Sequence, residues 1–158
     1  MNKLSKIYVA GHTGLLGAAL LKELQEEGYT NIIVRTHKEM ELKDSGLVND
    51  FFAREGPEIV FMAAGRAGNL NRCITHPATL YSENSLIQNN IFAAASQYEL
   101  EHLIYFGSSC IYPNDAKQPI PEEAFLSGPL EEATKAYAAA KMSGVMACRA
   151  YNSQYYNG

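Results

Sequence analysis

The chain has 158 residues, of which 47% are hydrophobic and 19% charged, with a formal net charge of -4 at pH 7. This composition is typical of one globular domain with a real hydrophobic core. The negative charge gives no electrostatic reason to expect a nucleic acid or a membrane as partner. The sequence shows no signal-peptide core and no apolar run of membrane-spanning length, so it predicts a cytoplasmic protein.

The three cysteines are Cys73, Cys110 and Cys148. Their odd number and irregular spacing are not those of a disulfide framework. The sequence has no Cys-x-x-Cys pair or His/Cys cluster that would indicate a metal site. Free thiols are typical of a reducing compartment. We therefore expect neither a disulfide scaffold nor a bound metal.

Short apolar strands alternate with amphipathic helices along the chain. The predicted strands are 7–10, 31–34, 59–62 and 102–106. The predicted helices are 15–27, 44–55 with Asp44 as cap, 77–98 and 135–155, and the predicted loops are 63–68 and 113–129. This alternation predicts an α/β fold, a Rossmann-type doubly wound parallel sheet with three αβα layers. Because a further strand would normally follow the last helix, we expect residues 1–158 to be an incomplete NAD(P)-binding domain.

The first strand leads into a glycine turn, Gly11-His12-Thr13-Gly14-Leu15-Leu16-Gly17. Gly11 permits a tight turn, Gly14 lets the backbone approach a phosphate, and Gly17 lets the helix lie close to the strand. The helix N-terminus adds free N–H groups and a partial positive charge. This pattern predicts a site for a dinucleotide pyrophosphate. The alternative is a glycine-rich connection used only for packing.

The end of the second strand indicates which dinucleotide is preferred. An NAD-selective site usually has an acid there to bind the ribose 2′-hydroxyl. Here Arg35 follows the strand, and the first acid is Glu39. Because a guanidinium can pair with a 2′-phosphate or stack on adenine, the sequence favours NADP(H) over NAD(H). A solvated surface arginine is the alternative.

Tyr137 and Lys141 stand four residues apart in the last predicted helix, so both side chains lie on one face. A nearby ammonium lowers the pKa of a phenol, and such a pair can exchange a proton with a carbonyl or alcohol while hydride moves to or from a nicotinamide. Ser108 follows the strand 102–106 and would lie at the carboxyl edge of the sheet, where ligands bind. By itself the Tyr-x-x-x-Lys pair is weak evidence. Together with the glycine turn and Ser108, in this order, it predicts a Ser–Tyr–Lys catalytic set.

These motifs resemble those of the extended short-chain dehydrogenases/reductases, which carry the glycine turn, a serine after the fifth strand, and Tyr-x-x-x-Lys. Within that family, the chain is similar to the GDP-L-fucose synthases over nearly its whole length. The similar segments are Val9-Ala10-Gly11-His12, Gly107-Ser108-Ser109-Cys110-Ile111-Tyr112-Pro113, Ala116-Lys117-Gln118-Pro119 and Tyr151-Asn152-Ser153-Gln154-Tyr155. The resemblance implies NADPH-dependent epimerisation and reduction of GDP-4-keto-6-deoxymannose. It also implies a GDP-sugar substrate and a homodimer formed through the Tyr-x-x-x-Lys helix.

The resemblance implies roles for individual residues. Ser108 would bind the keto oxygen, Tyr137 would protonate it, and Lys141 would tune Tyr137 and bind the nicotinamide ribose. Cys110 would be the base for epimerisation, although from the residues alone a small buried hydrophobe is the better interpretation. Asn84 would support the active-site loop. The expected cofactor-binding residues are Gly11, Thr13, Gly14, Leu15, Leu16, Gly17, Arg35, Leu42, Ala63, Ala64, Gly65, Tyr137 and Lys141.

Two features differ from the family pattern. Thr13 stands where the family usually has an arginine for the 2′-phosphate, so NADP selectivity would rest mainly on Arg35. The family's acid for epimerisation is a histidine beyond residue 158. The C-terminal substrate domain is also expected beyond that residue, which would leave the isolated chain inactive.

Two other functions are compatible with these residues, and a third is disfavoured. A related sugar-nucleotide 4-epimerase or 4-ketoreductase would use the same Ser–Tyr–Lys set. A non-catalytic dinucleotide-binding module would use the glycine turn alone. A dehydratase is disfavoured, because Ser109-Cys110-Ile111 stands where dehydratases usually carry Thr-Asp-Glu.

Overall fold

The computed structural model describes residues 2–98 and 100–156, without the side chain of Tyr156. Four parallel strands form a sheet in the order β2-β1-β3-β4. The strands are β1 Ile7–Ala10, β2 Ile32–Ile33, β3 Ile59–Met62 and β4 His102–Tyr105. The helices are α1 Leu15–Glu26, α2 Ser45–Glu55, α3 Leu70–Thr75, α4 Pro77–Gln97 and α5 Lys135–Tyr151. Because β2 and β3 lie on opposite sides of β1, the predicted doubly wound parallel sheet is confirmed.

Helices cover both faces of the sheet. All residues of β1 and β3 are buried, as expected for central strands of a parallel sheet. Alternate residues point to opposite faces. Tyr8 packs in one cluster with Phe51 of α2 and Ile91 of α4, whereas Val9 packs in a second cluster with Leu24 of α1. The sheet is therefore the middle of three layers, with its carboxyl edge left open for a site.

Helix α2 begins and ends where the sequence predicted. The side chain of Asp44 accepts a hydrogen bond from the Leu47 N–H at 3.0 Å, which caps the first turn. Gly56 ends the helix in the left-handed conformation, with φ of 53°. These local signals depend only on neighbouring residues, which is why the sequence shows them.

Strand β2 is shorter than predicted, with two residues instead of four. As an edge strand it pairs with Ile7 and Tyr8 of β1. Residues 34–44, all of them described, form no strand, because the N–H groups of Glu39 and Met40 both donate to the Thr36 carbonyl in a local turn. The site serine therefore follows the fourth strand of this chain, not the fifth as in the family pattern.

Helix α3 was missed, since the sequence indicated only irregular structure between the loop 63–68 and Pro77. The side chain of Asn69 caps α3 by accepting a hydrogen bond from the Arg72 N–H at 3.0 Å. Six residues are too few for hydrophobic periodicity to reveal a helix. The consequence for the site is that α3 buries Cys73 beside it.

The last helix ends earlier than predicted. Helix α5 stops at Tyr151, and a π-helical turn continues over Asn152–Tyr156. Tyr151 stacks on Phe92 at a centroid distance of 5.7 Å, and Tyr155 lies 5.6 Å from Tyr151, so both rings pack as expected. The expected packing of the Tyr156 side chain lies outside the described residues. The remaining element boundaries agree with the predictions to within one residue.

Candidate cofactor and catalytic site

The glycine turn lies at the point where the strand order of the sheet reverses. Gly11 has a φ of +83°, and a Cβ added there would lie 2.6 Å from the Cα of Ala64, so only glycine fits. A Cβ at Gly17 would collide with the Gly11 carbonyl oxygen. Gly14 caps α1 and donates its N–H to that carbonyl at 3.0 Å. The turn therefore brings the loops after β1 and β3 into direct contact.

A cavity of about 350 Å³ opens beside this turn and the loops that follow β2 and β3. We call it the large cavity. Its wall includes eight of the predicted cofactor residues: Gly11, Thr13, Gly14, Arg35, Leu42, Ala63, Ala64 and Gly65. Leu15, Leu16 and Gly17 are not on this wall, and the Leu15 side chain is 96% exposed. The structure thus gathers most of the predicted cofactor set in one place.

Arg35 lines the large cavity, but its guanidinium already has a partner. Its Nη2 lies 2.6 Å from Oε1 of Glu55, and its Nη1 donates to the Val34 carbonyl at 2.8 Å. The guanidinium carbon also lies 5.5 Å from the ring centroid of Phe51. A 2′-phosphate would have to share Arg35 with Glu55. Arg35 alone is therefore a weaker basis for a preference for NADP than the sequence suggested.

Sequence reasoning missed four charged residues on the wall of the large cavity: Glu41, Lys43, Arg66 and Glu83. Oε1 of Glu83 lies 3.1 Å from Nζ of Lys43, and Oε2 of Glu83 lies 3.0 Å from Nε of Arg66. The hydrogen bond from Lys43, with the nearby cations, lowers the pKa of Glu83, and the same bond raises the pKa of Lys43. The sequence could have indicated Lys43 and Arg66 by their position, because they directly follow the predicted residues Leu42 and Gly65.

Asn84 holds the loop after β3, and its predicted supporting role is confirmed. Its Oδ1 accepts from the Arg66 N–H at 2.9 Å, and its Nδ2 donates to the carbonyls of Arg66 at 3.0 Å and Leu80 at 2.7 Å. The side chain is buried with these polar groups satisfied. A Cβ added at Gly65 would lie 2.9 Å from this Oδ1, so the loop passes too close for a larger residue.

A second cavity of about 200 Å³ contains the predicted catalytic residues Cys110 and Tyr137. We call it the small cavity. The Ser108 side chain lies beside the Tyr137 phenol, and its oxygen accepts from the Cys110 N–H at 3.3 Å. Cys73 of α3 and Thr134 line the same cavity and were missed by sequence reasoning. The structure thus brings Ser108, Cys110 and Tyr137 together, as predicted.

Lys141 lines neither cavity but lies close to residues of both. Its Nζ donates to the Phe106 carbonyl at 2.9 Å and lies 4.9 Å from the ring centroid of Tyr105. A Cβ added at Gly65, on the large cavity, would lie 3.8 Å from the same Nζ. Tyr137 of the small cavity is one helical turn away from Lys141 on the same helix face.

The pKa of Tyr137 differs in direction from the prediction. Burial raises the pKa of the Tyr137 phenol, while the hydrogen bond from Ser108 acts in the opposite direction. Burial also lowers the pKa of Lys141. Lys141, whose ammonium donates to the Phe106 carbonyl, is not among the causes that shift the pKa of Tyr137 here. In this state the phenol keeps its proton more firmly than a free tyrosine does.

Gln88 of α4 positions the helix that carries Tyr137 and Lys141, and sequence reasoning missed it. Its Nε2 donates to the Ala140 carbonyl at 3.0 Å and to Oγ of Ser143 at 2.7 Å. Its Oε1 accepts from the Tyr105 hydroxyl at 3.0 Å. The Gln88 side chain is buried, so these bonds form away from water. A polar residue within the apolar stripe of α4 was the signal available in the sequence.

The cysteines of the described residues form no disulfide bond. Cys73, Cys110 and Cys148 are free thiols. Within residues 2–98 and 100–156, the structure holds no group of three or more His, Cys, Asp or Glu side chains able to bind a metal ion. Over the same part of the chain, no helix combines the length and apolar character needed to cross a membrane.

A glycine turn at the switch point of a doubly wound parallel sheet, with Ser–Tyr–Lys at its carboxyl edge, is the architecture of a dinucleotide-binding oxidoreductase domain. Residues 7–158 match the NAD dependent epimerase/dehydratase family, and the chain belongs to that family. The family resemblance and the fold expected from the sequence are thereby confirmed.

Two curated proteins and one solved structure are similar to nearly the whole chain. The chain is 44% identical over 155 residues to putative GDP-L-fucose synthase 2 of Arabidopsis thaliana, covering 98% of this chain and 47% of that protein. It is 41% identical over 150 residues to GDP-L-fucose synthase of Escherichia coli (strain K12), covering 95% and 47%. MlghC, the GDP-mannoheptose C4 reductase from Campylobacter jejuni solved with NADP bound, superposes with a TM-score of 0.94 at 38% identity, covering 99% and 49%. The chain spans about half the length of the curated relatives it matches.

Proposed function

We propose that this chain is the nucleotide-binding part of an NADPH-dependent enzyme that converts GDP-4-keto-6-deoxy-D-mannose to GDP-L-fucose. The observation that carries the proposal is that Cys110 and Tyr137 line one small cavity, with Ser108 beside Tyr137 and Lys141 close to Gly65 of the large cavity. Relatives named GDP-L-fucose synthase, at 44% and 41% identity, support the choice of sugar nucleotide. The substrate domain of such an enzyme would lie outside these 158 residues, so the chain alone would be inactive. A homodimer packed through α5 belongs to the same proposal.

NADP(H) is the proposed cofactor of the large cavity. The absence of a side chain at Gly11, where a Cβ would meet Ala64, permits the tight turn into α1, and the pyrophosphate would bind at the N-terminus of that helix. Arg35, Lys43 and Arg66 supply positive charge on the same wall. A bound NADPH would supply the hydride for reduction. The NADP in the MlghC structure supports this assignment.

In the reduction step, Tyr137 would give its proton to the ketone oxygen of the sugar while hydride adds to the carbon. Burial raises the pKa of Tyr137, so the phenol holds its proton at neutral pH. The Ser108 hydroxyl, beside Tyr137, would bind the same ketone oxygen and stabilise the charge that develops on it. Lys141 would hold the ribose of the nicotinamide and a positive charge near Tyr137.

In the epimerisation steps, Cys110 would remove a proton from a carbon beside the ketone. The resulting enolate carries negative charge on its oxygen, which Ser108 and Tyr137 are placed to stabilise. Cys110 must act as a thiolate in this step, since the thiolate is the basic form of cysteine. Return of a proton to the opposite face of the same carbon then completes the inversion.

A 4-ketoreductase is the second candidate function. MlghC, a C4 reductase, matches this chain about as well as the fucose synthases do, at 38% identity and a TM-score of 0.94. Reduction needs Ser108, Tyr137 and Lys141 but no carbon base, so the role of Cys110 separates the two functions.

Turnover in heavy water by the full-length protein tests both candidates. GDP-4-keto-6-deoxymannose and NADPH would be supplied, and the product examined by NMR for deuterium at the carbons beside the former ketone. Deuterium at both carbons supports the epimerase/reductase, whereas a reduced product without deuterium supports the reductase. Cys110→Ser should keep reduction and lose deuterium incorporation.

Tyr137→Phe is the companion variant for the reduction step. Loss of a positioned proton donor should lower the reduction rate by at least about 100-fold, while NADPH binding stays nearly unchanged. Turnover equal to that of the unmodified protein would sink the catalytic assignment of Tyr137.

A further inference from the structure

We propose that Glu83 is a specificity-determining residue that limits the positive charge of the large cavity and thereby limits the preference for NADPH over NADH. This inference rests on the proposed cofactor function. The residue concerned is a carboxylate that contacts two cations on the cavity wall. It belongs neither to the glycine turn nor to the contacts of Arg35.

Each carboxylate oxygen of Glu83 contacts a cation on the wall of the large cavity. One carboxylate oxygen lies 3.1 Å from Nζ of Lys43, and the other lies 3.0 Å from Nε of Arg66. The Glu83 side chain is 20% exposed, so water screens these pairs only in part. The pKa of Glu83 is lowered, first by the hydrogen bond from Lys43, which keeps the carboxylate ionised at neutral pH. The single negative charge of Glu83 therefore offsets half of the positive charge that Lys43 and Arg66 bring to this side of the cavity.

The loops that bear these cations are held by other residues. Asn84 bonds both the N–H and the carbonyl of Arg66, at 2.9 and 3.0 Å. Asn90 donates to the Leu42 carbonyl at 2.9 Å, next to Lys43. Because the backbones are held independently, loss of the Glu83 charge should free the two cationic side chains without moving the loops. This separates an electrostatic role for Glu83 from a structural one.

The charge of the cavity wall gives the direction of the effect. Its charged side chains are the cations Arg35, Lys43 and Arg66 and the carboxylates Glu41 and Glu83. Glu55, which pairs with Arg35, brings the carboxylates to three, so the positive and negative charges are equal and loss of the Glu83 charge leaves one positive charge in excess. NADPH carries a 2′-phosphate, with a charge of about -2, that NADH lacks. Coulomb attraction scales with the ligand's charge, so an added positive charge on the wall favours NADPH more than NADH. Neutralising Glu83 should thus strengthen NADPH binding selectively.

Glu83→Gln is the direct test, because glutamine keeps the size of the side chain and removes its charge. Calorimetric titrations with NADPH and NADH at low salt should give an NADPH dissociation constant about fivefold lower than in the unmodified protein, with NADH changed by less than about twofold. The difference should shrink at an ionic strength of about 0.5 M, since screening weakens a charge effect. Glu132→Gln is the matched control, because Glu132 pairs with Lys135 at 3.3 Å on an 86% exposed side chain. It should leave both dissociation constants unchanged.

Arg66→Met provides a second variant with the opposite expected sign. It removes a cation and leaves Glu83 less neutralised, so the NADPH dissociation constant should rise severalfold and the NADH constant less. Thermal melting of each variant shows whether it is folded. If the unmodified protein binds neither nucleotide, the proposed cofactor function is wrong and this inference with it. If it binds NADPH but Glu83→Gln leaves the ratio of NADPH to NADH affinity unchanged or lower, the inference alone is overturned.

Discussion

Lys141 of α5 donates its Nζ to the carbonyl of Phe106, at the end of β4, at a distance of 2.9 Å. The bond joins the helix that carries Tyr137 to the strand end that leads to Ser108. Burial lowers the pKa of Lys141, so the fold retains this ammonium at an electrostatic cost. A residue kept only for packing would not need the charge.

Lys141→Met should therefore change the free energy of unfolding at pH 7 by no more than about 1 kcal/mol, because the lost hydrogen bond and the relieved charge burial offset each other. The pKa of Lys141 is lowered from its ordinary value of 10.5, so the cost of its charge is full at low pH and is relieved as pH rises toward 10.5. The stability of the unmodified protein relative to the variant should rise over that interval. Urea unfolding at pH 7 and pH 10 measures both quantities. A decrease in the free energy of unfolding of more than about 2–3 kcal/mol at pH 7, the cost of breaking a buried polar network, would show that Lys141 mainly stabilises the fold.

Gly11→Ala should cost far more stability than Gly28→Ala, although both glycines have nearly the same φ, +83° and +82°. An added Cβ at Gly11 would lie 2.6 Å from the Ala64 Cα, whereas none of the described atoms lies within 4 Å of one at Gly28. Gly28→Ala should cost about 1 kcal/mol for the left-handed conformation alone, and Gly11→Ala more than about 3 kcal/mol. Denaturant unfolding compares them, and an NADPH titration should show binding retained only in Gly28→Ala. Equal costs would show that the contact with Ala64 does not constrain the turn.

Gln88→Leu should lower the free energy of unfolding by about 2 kcal/mol, because it leaves buried polar groups of Tyr105 and Ala140 without the amide partner. Hydrogen exchange in α5 should also become faster, since Gln88 ties that helix to α4. Gln97→Leu, at an exposed position on the same helix, is the control and should cost less than about 0.5 kcal/mol. Unchanged exchange in α5 after Gln88→Leu would contradict the positioning role.

Tyr8→Phe should reduce the loss of stability at alkaline pH. Tyr8 is buried against Phe51 at a centroid distance of 4.6 Å, and burial raises its pKa well above the ordinary value of 10. A raised pKa in the folded state means that the unfolded phenol ionises first, so stability is full below pH 10 and is lost as pH rises above it. Relative to pH 8, the variant should be favoured by about 1 kcal/mol at pH 11. Urea unfolding at both pH values measures this difference, and Tyr81→Phe, at an exposed side chain, is the control. Parallel pH profiles of stability for all three proteins would refute the effect of Tyr8 burial.

Local features of this chain could be predicted because they need only nearby residues. The cap at Asp44 and the left-handed end at Gly56 depend on hydrogen bonds within one helical turn. Tyr137 and Lys141 share a helix face because of their spacing alone. Helix α3 escaped prediction because a six-residue helix shows no period, and its stability comes from the Asn69 cap and burial of Cys73.

The sequence by itself determined the order along the chain of all the strands and of every helix except α3, and the place of the glycine turn, and it predicted a Ser–Tyr–Lys set, since each depends on residue type and short spacing. Only the tertiary structure decided what surrounds those residues. The pairing of Glu83 with Lys43 and Arg66 joins positions 40 and 17 residues apart, and the Lys141 bond to Phe106 spans 35 residues. Contacts at such separations follow from how helices and loops pack around the sheet, because burial and charge there are set by several elements at once.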